Sequence, residues 1–217
     1  MKILQNFRPA ILGTRIAVYL AGIIILAFGI TLNTKTGLGV SPIISIPYNI
    51  SVLCKLNLGA LTFLFYSILV ILQILLQRRD FKIYQLLQIV MSLITSIFIN
   101  LFDALIPMAA TIPLQIIALI FAIIFTGIGA SLTVGMKIVP NPADGFANVL
   151  GQKMRKGFGF GKNVFDLSCL IISLILGFVF TGSIIGIGIG TIIAMVFTGR
   201  VVAFCQIRLR SVYNKLT

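Results

Sequence analysis

All four acids of this chain are aspartates, and two of them, Asp144 and Asp166, stand in apolar surroundings. A carboxylate in such a place marks an ion, proton or substrate site. Asp166 follows Lys162 by four residues, the spacing of a helical ion pair, with the polar Asn163 beside it. The plain structural reading is an acid pairing with Lys162 near a membrane interface. The functional reading is a proton or cation ligand facing a cavity. Asp144 comes just after Asn141-Pro142, which is a good helix start. Asparagine accepts from the free amides of a first turn, and proline fits the first helical position. An acid there meets the positive end of the helix dipole.

A hundred residues earlier, Ser41-Pro42 makes the same kind of start without an acid. A bare helix N-terminus favours an anion, and a carboxylate favours a cation. That asymmetry suits a zwitterion, or a substrate moved together with a proton or cation. Simple capping is the competing account for Ser41 and Asn141. The expected substrate-binding residues are Ser41, Tyr48, Asn49, Asn141, Asp144, Asn148, Asn163 and Asp166. Asn33 and Asn100 are further uncharged groups of that kind. Asp103 is expected at an interface, and Arg200 is expected to snorkel to headgroups. Ser92, Thr95 and Thr191 are expected to join helices.

Histidine is absent, and Cys54, Cys169 and Cys205 have no metal-type spacing. The cysteines read as small apolar residues. There is no phosphate-binding loop and no nucleophile–base constellation. Neither an enzyme nor a cofactor is expected.

These residues need elements to hold them, and composition says what kind. The chain is 59% hydrophobic and 10% charged, with net charge +13. A soluble domain carries roughly 25% charged residues, so the solvent for this surface is lipid. The cations cluster at the ends of apolar runs, where they set topology and meet anionic headgroups. Nucleic acid is not an expected partner. Six runs approach the ~20 apolar residues that a crossing helix needs: 16–34, 59–77, 84–104, 114–135, 163–181 and 184–204. The basic N-terminus leads into the first run without a cleavage site, so that run reads as a retained span. Segments 41–54 and 141–153 are too short to cross comfortably and read as re-entrant or half-spanning helices. Gly182, Gly186 and Gly190, four apart, are expected to form a flat stripe on the sixth span. Such a stripe fits packing within the chain, a homodimer or a partner subunit.

With six spans, Lys2, Arg8, Arg15, the Arg78-Arg79-Lys82 loop, the region Lys137 to Lys162 and the tail Arg208-Arg210-Lys215 fall on one side. The positive-inside rule makes that side, and both termini, cytoplasmic. Residues 19–42 also resemble 119–142 without a gap: Ile23 and Ile24 fall on Ile123 and Ile124, Gly29 on Gly129, Leu32 on Leu132, and Pro42 on Pro142. A second register sets Gly59, Phe63 and Leu72 on Gly161, Phe165 and Leu174. Three spans per half turn the second copy upside down. The expected fold is therefore an all-α membrane protein built as an inverted 3+3 repeat, residues 1–105 and 106–217, each half with one short helix. In such folds the site lies near the midplane between the repeats.

Gly37-Leu-Gly-Val-Ser-Pro42, the Asn-Pro-Ala-Asp step at 141–144 and Gly188-Ile-Gly-Thr-Ile-Ile-Ala194 resemble the YczE/YyaS/YitT integral membrane proteins of bacteria. The resemblance runs from about residue 16 to 205. It implies a multi-pass protein of the bacterial cytoplasmic membrane with five or six spans, and it supplies no substrate. The residues favour a secondary transporter or exporter of a small polar metabolite. A substrate-binding subunit of an ATP-driven uptake system and a non-transporting accessory protein are the rival expectations.

Overall fold

The computed structural model describes residues 9–217. Lys2 and Arg8 of the expected cytoplasmic N-terminus lie outside them. The helices are α1 (Pro9–Thr34), α2 (Pro42–Cys54), α3 (Leu58–Gln77), α4 (Leu87–Leu105), α5 (Ile112–Gly135), α6 (Pro142–Lys153), α7 (Phe158–Thr181), α8 (Ile189–Arg208) and α9 (Arg210–Leu216). Among the described residues there is no strand. Six segments are long and apolar enough to cross a membrane: Ile11–Thr34, Leu58–Asp80, Ile83–Leu105, Ile112–Gly135, Phe158–Thr181 and Ile189–Arg208. At ~1.5 Å per residue, neither α2 nor α6 crosses a ~30 Å hydrocarbon core.

Burial follows the logic of lipid rather than water. Ile97, Ile112, Phe178 and Val179 point outward, while Thr31, Asn49, Gln73, Gln88 and Ser92 are wholly or almost wholly enclosed. Apolar side chains lose nothing against acyl chains, whereas polar groups need partners inside the bundle.

The central pair is α1 and α5, which run antiparallel. Arg15 donates to the carbonyls of Met136 and Lys137 at 2.7 and 2.9 Å, and the Tyr19 hydroxyl donates to the Val139 carbonyl at 2.9 Å. Further along, Gly22 lies against Leu132 and Gly29 against Thr126. Small residues let the two backbones approach closely. α4 packs on α1 and α3, α8 packs on α5, and α2 and α6 each pack on α3 and α7. α7 and α8 do not pack along one another. The short α9 docks on α5, with the Tyr213 hydroxyl 2.9 Å from Ser131 Oγ.

Two boundaries differ from the sequence reading. α7 begins at Phe158 rather than 163, so Lys162 and Asn163 stand within the helix. α8 begins at Ile189 rather than 184. Gly182 and Gly186 adopt φ of 67° and 69°, which a continuing helix excludes. The loop they form docks on residues 37–40. There the Gly186 carbonyl accepts from the Val40 amide at 2.8 Å, and the Gly190 amide donates to the Leu38 carbonyl at 2.8 Å. The expected glycine stripe therefore does not exist on one helix; of those three residues, Gly190 alone belongs to α8.

Ser92 and Thr95 bond carbonyls of their own helix, and Thr191 accepts from the Gly188 amide at its own helix start, so these hydroxyls do not bridge helices. Asp103 pairs with Lys35 at 2.8 Å, joining the ends of α4 and α1. Arg200 is exposed and lies over the Phe197 ring.

Candidate functional site

The N-termini of α2 and α6 open onto one cavity of about 600 Å³, whose walls come from α1, α5, α7 and α8. Each short helix is placed by buried polar bonds. On α2, Asn49 donates to Ser173 Oγ at 2.5 Å and to the Ile185 carbonyl at 2.8 Å, while Ser173 donates back to the Ser45 carbonyl at 3.2 Å. On the other side, Gln73 and Gln88 exchange amide bonds of 3.1 and 3.2 Å. Gln73 also donates to the Pro142 carbonyl at 3.2 Å. This pair fits because residue 145 is glycine, where a Cβ would stand 2.8 Å from Gln73 Oε1.

The two helix starts differ. Asn141 caps α6, its Oδ1 accepting from the Ala143 amide at 3.0 Å. Ser41 makes no side-chain cap bond, so its hydroxyl is left to the cavity. With Asn141 doing the capping, the partly exposed Asp144 carboxylate also lines the cavity.

Lys162 and Asp166 reach the same space from the first two and a half turns of α7. Lys162 Nζ lies 3.6 Å from Asp166 Oδ2, and its charge also acts on Asp144. Asp166 is 3% exposed, and its Oδ1 has no hydrogen-bond partner. Buried carboxylate oxygens are normally bonded, so this orphan is the most unusual atom of the site. Asn33, 4% exposed, brings a second unpartnered oxygen to the cavity. The Tyr66 phenol adjoins Asn141 and Asp144.

Of the eight expected site residues, the structure thus gathers Ser41, Asn141, Asp144, Asn148 and Asp166 around one cavity. The other three lie elsewhere. Tyr48 packs in the hydrophobic core and against Gly186. Asn49 does not line the cavity, and its amide nitrogen is spent on the bonds that fasten α2. Asn163 is exposed and does not line the cavity.

Lys162 lines the cavity, and the sequence presented it only as a partner of Asp166. Gln73 and Gln88 were missed, although two amides in consecutive apolar spans are a signal in themselves. Asn148 also borders a second recess of about 440 Å³, lined by Gln77, Asp80, Lys82, Gln85 and Gln152.

The cavity offers two carboxylates against one ammonium, together with orphaned acceptors. Among the described residues, no group of three His, Cys or Asp side chains is placed to hold a metal ion.

A model described as a family of unknown function, DUF6198, matches residues 13–207. The chain is also 27% identical over 187 residues to a protein of Bacillus subtilis (strain 168) described as the uncharacterized membrane protein YczE. The match covers 86% of this chain and 82% of that protein. No solved structure matches.

Proposed function

The chain belongs to DUF6198, a family of unknown function, and we propose that it is a secondary transporter with its site in the α2–α6 cavity. The observation that carries this reading is the Asp166–Lys162 pair, with the buried Asp166 Oδ1 unpartnered, on a membrane-spanning helix of the bundle. Ionisable groups at such depth are expensive, and they are retained where they line a substrate or ion path. Asn148 stands between this cavity and the recess near Arg78-Arg79-Lys82, which supplies a polar route toward that end of the bundle.

The reading includes an inverted 3+3 repeat with α2 and α6 as re-entrant helices. Its support is reciprocal contact at a shift of one hundred residues across the antiparallel α1–α5 pair. Gly29 meets Thr126 while Gly129 meets Leu26, and Arg15 bonds Lys137 while Gln115 lies against Gly37. Arg78, Arg79, Lys153, Lys156, Arg208 and Arg210 then share the cytoplasmic side. Of the outer cations Lys35 and Lys55, Lys35 is neutralised by Asp103.

The test is current or tracer flux in proteoliposomes of the purified chain, offered a panel of zwitterionic and amine metabolites. Asp144→Asn and Asp166→Asn should each reduce transport by about tenfold or more. Unchanged flux in both variants would sink the assignment. Flux by the lone chain would exclude a requirement for an ATP-driven partner.

A further inference from the structure

We propose that the cavity takes amphipathic monocations, an ammonium head on an alkyl tail, admitted sideways from the bilayer between α7 and α8. This rests on the cavity being the binding site, and it narrows the substrate class from a small polar metabolite to a membrane-partitioned amine.

Charge and hydrogen bonding define the head. Asp144, Asp166 and Lys162 give the cavity two negative groups and one positive, so a single added cation balances it. Of the four buried unpartnered atoms among the described residues, two belong to residues that line this cavity, Asp166 Oδ1 and Asn33 Oδ1, and both are acceptors. They call for a ligand that donates. An anion would meet two carboxylates, and a neutral acceptor would leave both orphans unpaired.

The remaining wall defines the tail. Leu26, Ile30, Ile123, Ala194, Met195 and Val202 offer no hydrogen bonds from their side chains. A fully polar solute would desolvate against them without compensation. An alkyl chain gains by leaving water for this wall and loses nothing relative to lipid.

The packing defines the route. α3 and α4 close on each other along the opposite flank, whereas α7 and α8 do not pack along one another. Both helices nevertheless line the cavity, so it runs between two helices that are not packed along their length. The loop that joins the C-terminal end of α7 to α8 is tied to residues 37–40. The opening therefore belongs to the half of the bundle that holds Phe158 and Gln206.

The chain has no tryptophan, which permits a single-reporter experiment. Thr198→Trp, with Met195→Trp as a second reporter should the first misfold, places an indole in the cavity. Phe165→Trp in the packed core and Phe178→Trp on the outer face are references. The protein is reconstituted in vesicles of brominated phosphatidylcholine. The cavity indole should lose emission as the Phe178→Trp reference does. n-Decylamine should restore it, while decanol and decanoate should not. Adding Asp166→Asn should weaken the amine's effect by about tenfold or more and leave quenching by lipid intact.

A cavity indole that stays as bright as the Phe165→Trp reference overturns the lateral route. Equal restoration by decanol overturns the cation. Flux of methylamine without lipid quenching would leave the transporter standing and this proposal refuted.

Discussion

α2 supplies its own fastenings, Ser45 and Asn49, whereas α6 is gripped by Gln73 and Gln88 from neighbouring helices and offers them only the Pro142 carbonyl and the room above Gly145. Both helices begin at a proline and open onto the same cavity. The difference decides what each has left over. α2 spends its polar side chains on staying in place. α6 is held through backbone, so Asp144 and Asn148 remain free to face the cavity. A helix anchored by others is the one able to carry chemistry.

The largest effect expected from breaking this contrast is at Lys162. Lys162→Met removes the cation that serves both Asp144 and Asp166, and it should cost about 3 kcal/mol or more of stability. Thermal melting in detergent would read it, and a loss below about 1 kcal/mol would mean that the acids do not depend on it. Next comes the grip on α6. Gln73→Leu leaves the buried Gln88 amide unpaired, at about 1–3 kcal/mol. Gln73→Leu/Gln88→Leu removes both polar groups and should recover much of that loss. No recovery in the double variant would mean that the bond to the Pro142 carbonyl dominates.

The α2 fastening is a smaller target. Asn49→Ala should cost about 1–2 kcal/mol and leave the charged end of the cavity intact, so flux per folded molecule should persist. A selective loss of flux would move Asn49 back among the site residues. The smallest contrast lies at the caps. Asn141→Ala should cost about 1 kcal/mol, while Ser41→Ala, which breaks no cap bond, should stay within about 0.5 kcal/mol. Equal costs would erase the distinction between the two helix starts.

The spans and the two helix starts were legible because hydropathy and proline report local physics. Pro42 and Pro142 stand at the first helical position, where their geometry permits. The start of α8 was not legible. Residues 182–188 are glycine and isoleucine apart from Ser183, and such composition does not separate an extended loop from a helix. Only the docking of that loop on residues 37–40 settles it. The faces of Tyr48, Asn49 and Asn163 were equally hidden. All three are polar residues on helices that line the cavity, yet none of them meets it, which depends on how α2 and α7 are turned. Asp144 and Asp166 could be read because a carboxylate in an apolar run is costly to keep there unless a cavity or a counter-charge receives it. Lys162 looked like an interfacial partner until α7 proved to begin five residues earlier.

The latch of α9 on α5 bears on how the bundle is assembled as it is made. Gly135 is covered by the Tyr213 ring, and Ser131 is bonded to its hydroxyl. Tyr213 is synthesised roughly eighty residues after Gly135, which at ~5–20 residues per second is a delay of about 4–16 s. For that interval the end of α5 is inserted but unlatched, with Met136 and Lys137 held by Arg15 from the earlier α1. Arg15 is thus the early clasp on the α5 terminus and Tyr213 the late one, so folding intermediates that stall during translation should be most open to protease near residue 135.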